Sequence, residues 1–305
     1  MSSAAVLAPV LAPPYLFPVS LPVRRRTVRP RHYLMCRPVF FDIRHTVSPW
    51  DPPERVDTLR AVRQWQRLYE MYRSLGHTVD LIEPVPGRPD MVFTAHAATI
   101  MDGHVLLARP HPAGQAPTTR PHPAAGQQTD TARTAHKAWF QAAGYAEPYE
   151  ARQFNDGQRD FLVTDYWILA GRDEGSSPDA HREAQDVLKR PLISLELADP
   201  RFHHLDTALT VLDGNEVMYH PQAFTPRSRE VLEGLFPDAL LVGPEDADAL
   251  GLNAVSDGLH VFLPDVAHTL AEQLRARGYV PVGVDLSELM KADGGVKSCT
   301  LELKP

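Results

Sequence analysis

The chain is short of cysteine, of positive charge and of unbroken apolar sequence, and each shortage closes a class of function. Two cysteines in 305 residues, Cys36 and Cys299, are too few for a disulfide-built scaffold. Two thiols in a reducing, cytoplasmic setting are the expectation, with a single Cys36–Cys299 bridge as the alternative. Thirty-one Lys and Arg stand against 38 Asp and Glu, a net charge of −7. No basic excess is available to neutralise a phosphate backbone, so nucleic acid is not an expected partner. No apolar run approaches the ~18 residues of a membrane span, and neither G-x-G-x-x-G nor G-x-x-x-x-G-K-S/T occurs to cradle a nucleotide. There are 14 histidines, but none lies in an H-E-x-x-H pattern and two distant cysteines make no zinc knuckle, so neither metal nor cofactor is expected.

What is present is a rhythm of short elements. Residues 1–21 carry no charge but are broken by Pro9, Pro13, Pro14 and Pro18, and the cationic run Arg24-Arg25-Arg26 follows the apolar part instead of preceding it as in a secretory signal. Residues 1–30 are expected to be a disordered extension, or the product of a start codon placed too early. Residues 31–305 are expected to form one domain. Tyr33–Cys36 predicts a buried strand, and Asp57 caps a helix with apolar Leu59, Val62, Trp65, Tyr69 and Tyr72, ended by Gly76. Thr78–Ile82 alternates as a strand, and Met91–Ile100 and His104–Ala108 flank an Asp102-Gly103 hairpin. Residues 109–134 contain Arg109-Pro110-His111-Pro112 and a near copy, Arg120-Pro121-His122-Pro123. Their proline-rich, polar composition predicts a flexible loop insertion. Strand signals then alternate with helices opened by Ser177-Pro178 and Thr225-Pro226. A strand over Lys297–Leu303 ends the chain.

Three segments carry residues suited to chemistry. Cys299 follows Gly294-Gly295-Val296-Lys297-Ser298; paired glycines let a planar ligand approach the backbone closely, although a lone cysteine in a strand is more often a small buried hydrophobe. In an extended segment, His204 and Asp206 point to one face because the side-chain period is two. There the histidine can move protons while the aspartate accepts N–H bonds from a cation; the alternative is a solvated loop entering a strand. Asp156 and Asp160 flank Gly157 before a strand, which on its own fits simple turn chemistry.

Taken together, His204-Leu205-Asp206-Thr207, the terminal Gly-Gly-Val-Lys-Ser-Cys-Thr-Leu-Glu-Leu, and Pro89-Asp90-Met91-Val92-Phe93-Thr94-Ala95 resemble the dimethylargininase and amidinotransferase superfamily. Tyr33–Pro38 followed by Ser48-Pro49-Trp50 is similar to its N-terminal strand and loop. The likeness runs from Arg31 to Pro305 outside residues 109–134. It implies an α/β pentein propeller: five ββαβ-like modules about a pseudo-fivefold axis, with the site in the central channel. It also implies hydrolysis of a guanidino C–N bond of an arginine derivative, dimethylarginine to citrulline and dimethylamine, through a Cys-linked thiouronium. Cys299 would be the nucleophile, His204 the general acid and base, and Asp156 the carboxylate that orients His204. Asp206, Asp90, His96 and Asp160 would bind substrate. The implied partner is a small guanidino compound, and a homodimer is left open. Asp156 stands where the family has a longer glutamate, Arg159 where it has glycine, and His96 where Asn or Asp contacts the guanidinium; Ser48-Pro49-Trp50-Asp51 also departs from an Asn-Pro-Trp-Met loop. These departures keep two other outcomes in play: an amidinotransferase or arginine deiminase-like enzyme, and a pentein that binds guanidines without turnover.

Overall fold

A computed structural model describes residues 26–43, 55–111, 130–172, 176–214 and 216–304. Most of residues 1–30, the Ser48–Trp50 loop and most of the 109–134 segment lie outside the described residues. Two edges of those expectations shift. Arg26 pairs with Glu216 at 2.8 Å and lies over the Tyr279 ring, and the Arg29 amide donates to the Asp257 carbonyl, so residues 26–30 lie against the body of the protein. A helix begins at Asp130, inside the segment expected to be loop.

The described chain builds five three-stranded sheets, each an antiparallel pair extended by a parallel strand. In the first, β1 (His32–Cys36) is followed by α1 (Thr58–Ser74) and the parallel strand β2 (Thr78–Ile82). The second comprises β3 (Ala98–Met101), β4 (His104–Leu107), α2 (Asp130–Ala142) and β5 (Tyr149–Glu150). The third comprises β6 (Phe161–Val163), β7 (Ile168–Arg172), α3 (Pro178–Leu188) and β8 (Leu192–Glu196). A helical turn α4 (Leu205–Ala208) leads into the fourth: β9 (Leu209–Asp213), β10 (Glu216–Tyr219), α5 (Pro226–Leu235) and β11 (Leu240–Leu241). After α6 (Pro244–Asp248), the fifth comprises β12 (Val255–Ser256), β13 (His260–Pro264), α7 (His268–Ala276) and β14 (Val280–Val284). Then α8 (Ser287–Met290) leads to β15 (Leu301–Glu302), which pairs antiparallel with β1 and completes the first module with the end of the chain. This is the five-module ββαβ architecture that the resemblance implies.

Local chemistry explains the element ends. Asp57 accepts from the Arg60 amide at the start of α1, and Ser177 and Thr225 cap α3 and α5 ahead of prolines at the first helical position, where a missing N–H costs nothing. Asp102 and Gly103 both take positive φ, +49° and +75°, the pair of left-handed residues that a tight hairpin demands. The buried face of α1 is Ala61, Gln64, Trp65, Leu68 and Tyr72; Leu59, expected inside, is 73% exposed. Gln64 takes a core position because its amide bonds to Asp285 and Ser287 and its carbonyl accepts from the Glu288 amide.

Two predicted strands are shorter than expected and one segment considered as extended is partly helical; all three departures fall just before a module's first strand. Within Met91–Ile100, residues Pro89–Val92 and Thr94–His96 form 3-10 turns and the strand starts at Ala98. His204 is extended, but Asp206 lies in α4, so the two do not share a strand face. Cys299 lies in a turn, with only Leu301–Glu302 in the strand. Met91, Val92, Phe93 and Val296 are buried without pairing in a sheet, and burial alone gives the strand-like signal there.

Candidate active site

Each of the five modules is preceded by a turn, and hydrogen bonds tie these turns together. They hold Asp90–His96, Asn155–Asp160, His204–Ala208, Gly251–Ala254 and Gly294–Thr300. The Cys299 turn is the hub. Thr94 Oγ1 donates to the Cys299 carbonyl at 3.1 Å, and the Ala95 amide donates to the Ser298 carbonyl at 3.1 Å. Asn253 Oδ1 accepts from the Ser298 amide at 3.1 Å, while Asn253 Nδ2 donates to Asp206 Oδ2 at 2.8 Å. The thiol-bearing turn and Asp206 are therefore held by one side chain.

Glycines permit this crowding. A Cβ on Gly294 would lie 1.9 Å from Phe93 Cε1, and one on Gly295 would lie 2.7 Å from Asn253 Oδ1. Gly157 has φ +60° and would bring a Cβ within 2.9 Å of the Ala98 amide nitrogen, so both its conformation and its surroundings exclude a side chain.

His204 sits where the chain enters α4, its carbonyl accepting from the Thr207 amide and hydroxyl. Its Nδ1 lies 2.8 Å from Asp160 Oδ1, and its Nε2 lies 3.5 Å from Asp156 Oδ2. The close carboxylate is thus Asp160, not Asp156, which was expected to orient the ring. Asp160 is itself held, its other oxygen accepting from the Asp156 amide at 2.7 Å. The His204 and Asp156 side chains keep 12% and 21% exposure, against full burial of Cys299 and Asp206. The histidine side is the open side of the site.

Burial dominates the electrostatics. It pushes the Asp156 and Asp206 carboxyls up and raises Asp160 to about 6. The buried Arg159 guanidinium opposes the rise in all three, with its Nε 3.8 Å from Asp206 Oδ1. Burial also pushes the Cys299 thiol well up, and Cys36 to about 12. Both cysteines are free. Asp206 Oδ1 and both carboxylate oxygens of Asp90 are buried without a hydrogen-bond donor among the described residues, an unusual state for a carboxylate and one that a cationic ligand relieves. His96 is buried and stacks on Phe93 at 5.4 Å between centroids.

The structure brings Cys299, His204, Asp156, Asp160 and Asp206 into linked turns, with Asp90 and His96 in the turn beside Thr94. Sequence reasoning passed over Asn253, and used Gln158, Lys297 and Thr94 only as motif spelling. The signal for Asn253 is positional, since Gly251-Leu252-Asn253-Ala254 precedes a first strand as the other four turns do. Among the described residues, no group of three or more His, Cys, Asp or Glu is arranged to hold a metal ion, and no helix is long and apolar enough to cross a membrane.

No protein-family model matches the chain, but individual proteins do. The N(G),N(G)-dimethylarginine dimethylaminohydrolase of Mycobacterium tuberculosis is 46% identical over 282 residues, covering 92% of this chain and 88% of that protein. The crystal structure of the N-terminal domain of ArgZ, a cyanobacterial arginine dihydrolase, solved with substrate bound, superposes with a TM-score of 0.80 at 31% identity, covering 90% of this chain and 98% of that one. A dimethylarginine hydrolase from Pseudomonas aeruginosa, solved with citrulline, superposes at 0.69 with 17% identity over 90% of this chain and 100% of that one, a likeness of fold.

Proposed function

The chain belongs to the dimethylarginine dimethylaminohydrolase family, and from that membership we propose how its residues divide the work. The protein hydrolyses N(G),N(G)-dimethylarginine to citrulline and dimethylamine. Its partner is a small guanidino substrate. A guanidinium is stabilised by resonance, so its carbon yields only to a strong nucleophile paired with protonation of the leaving amine. Asp206 receives the guanidinium, replacing the distant Arg159 contact with direct charge-assisted hydrogen bonds; Asp90 and His96 border the substrate. The bound cation favours the Cys299 thiolate, offsetting the burial that otherwise keeps the thiol neutral, and the thiol proton passes to His204 Nε2. The thiolate attacks the guanidinium carbon, the C–N bond to dimethylamine breaks, and His204 Nε2 supplies the proton that the amine carries away. His204 then takes a proton from water as that water attacks the S-alkylthiouronium, releasing the ureido product and returning the thiol. Asp160 holds Nδ1, leaving Nε2 for proton transfer, and Asp156 faces Nε2 from the open side.

The observation that carries this reading is Asn253, which joins the Asp206 carboxylate to the Cys299 turn by two hydrogen bonds. A carboxylate for the cation and a thiol for its carbon are thereby held in fixed relation. Two free, buried thiols accord with a reducing, cytoplasmic setting. The test is incubation with dimethylarginine and with arginine, with and without an amine acceptor, followed by ureido product and mass spectrometry of the protein. Citrulline from dimethylarginine, with an adduct on Cys299 that Cys299→Ser lacks, is the expected result. Binding without product in the parent overturns it in favour of a non-catalytic pentein; amidino transfer to the acceptor overturns it in favour of a transferase. Arginine turned over in place of dimethylarginine assigns the activity of the cyanobacterial relative.

A further inference from the structure

Behind the Cys299 turn lies a cavity of about 60 Å³, bordered by Tyr33, Gln158, Lys297, Thr300, Glu302 and Lys304. Lys297 projects into it. Its Nζ donates to Gln158 Oε1 at 2.5 Å and to the Thr300 carbonyl at 3.2 Å. Gln158 in turn accepts from the Glu302 amide at 3.0 Å and donates its Nε2 to the Glu302 carbonyl at 2.7 Å.

These bonds connect two turns that are remote in sequence. Lys297 is two residues before Cys299. Gln158 is two residues before Asp160, whose carboxylate holds His204 Nδ1. Of the bonds that tie the Cys299 turn to its neighbours, Thr94 and Ala95 fix it to the second module's turn and Asn253 fixes it to the fifth. The Lys297–Gln158 bond fixes it to the turn that governs the histidine.

We propose that Lys297 and Gln158 are positioning residues: their hydrogen bond sets the Cys299 turn against the Asp156–Asp160 turn, and so fixes thiol and imidazole relative to each other. This rests on the reading of Cys299 and His204 as the reacting pair. The chemistry suits the task. A lysine ammonium offers three donors, and its part-buried bond to a neutral amide meets less competition from solvent than one at the surface. Burial brings the Lys297 ammonium down to about 8, with Glu302 and Asp206 opposing the fall, so the cation persists at neutral pH. An apolar residue in its place leaves the Gln158 carbonyl with only the Glu302 amide, and the two turns lose their direct link.

The test compares the full chain with Lys297→Met, Gln158→Met, the double variant and Lys297→Arg. Steady-state turnover of dimethylarginine should show kcat reduced at least about tenfold with KM changed less than about threefold, since small misplacement of reacting groups costs rate rather than binding. The double variant should lose no more than Gln158→Met alone, which already removes the link to Lys297 together with both Glu302 bonds. Lys297→Arg, which keeps a cationic donor, should recover much of the rate. Hydrogen exchange read by mass spectrometry supplies a measure independent of turnover. In Lys297→Met, exchange should rise at the Cys299 and Thr300 amides and also across the link at the Arg159 and Asp160 amides, which are hydrogen-bonded within their own turns. Faster exchange confined to residues 296–300, or kcat within about twofold of the parent in both single variants, overturns the proposal. A parent inactive on dimethylarginine and arginine overturns the functional reading instead, and the exchange across the two turns still decides whether the link exists.

Discussion

His204 Nδ1 lies 2.8 Å from Asp160 Oδ1, while the nearer oxygen of Asp156 stands 3.5 Å from Nε2. A neutral imidazole that donates from Nδ1 presents an unprotonated Nε2 to the open side, so the two carboxylates act on opposite edges of one ring. Asp160 also accepts from the Asp156 amide, which ties the shape of the turn to the position of the histidine.

This geometry separates two substitutions that the motif alone would rank the other way. Asp160→Asn should lower kcat by about 10²-fold, within the range attributed to positioned proton transfer. Asp156→Asn should cost less than about tenfold, and Asp156→Glu should bring no gain. Steady-state kinetics at neutral pH decide the matter; a larger loss in Asp156→Asn would return the orienting role to Asp156.

Arg159 gives a pH prediction. Its guanidinium lowers Asp156, Asp160 and Asp206 against the burial that raises them. Arg159→Met removes that opposition, so each carboxyl keeps its proton to higher pH. Binding of a guanidinium needs the ionised carboxylate, so the acid limb of kcat/KM should move to higher pH. A profile between pH 5 and 8 that coincides with the parent's would place Arg159 outside the electrostatics of the site.

Gly294 tests the packing of the turns. A methyl group there meets Phe93 at 1.9 Å, whereas Gly234 in α5 has nothing within 4 Å of an added Cβ. Gly294→Ala should destabilise the fold by about 1–3 kcal/mol and reduce turnover at temperatures where the protein stays folded. Gly234→Ala should be neutral or stabilising by up to about 1 kcal/mol. Urea denaturation of both variants supplies the comparison.

Asp257 gives a prediction for stability in acid. It is fully buried, and burial pushes its carboxyl up, but the His77 ring 3.2 Å away and bonds from His260 and the Leu259 and His260 amides outweigh that and bring it to about 2. The folded value lies below the unfolded one, so the stabilisation is present above about pH 4 and disappears as pH falls through 2. Asp257→Asn should therefore cost about 2 kcal/mol at pH 7, with the difference from the parent closing toward pH 2. A difference that stays constant from pH 7 to 2 would mean that packing, not charge, is what Asp257 supplies.

Local signals in the sequence determined much of the frame. Asp57, Ser177-Pro178, Thr225-Pro226 and Asp102-Gly103 each act within a few residues, and the helices and hairpin they announce stand where they were expected. The order of motifs along the chain, rather than any periodicity, carried the five-module fold and the reaction. Local pattern failed at Met91–His96 and Lys297–Thr300, where buried sequence reads as strand whether it pairs in a sheet or packs as a turn against four others, and at His204–Asp206, where nothing local marks the helical turn that begins at Leu205. The exchange of Asp160 for Asp156 at His204, the bridge through Asn253, and the Lys297–Gln158 link depend on distances between residues tens to more than a hundred positions apart. Only the closing of five modules about one axis brings those side chains within hydrogen-bonding reach, and so the tertiary structure alone decided them.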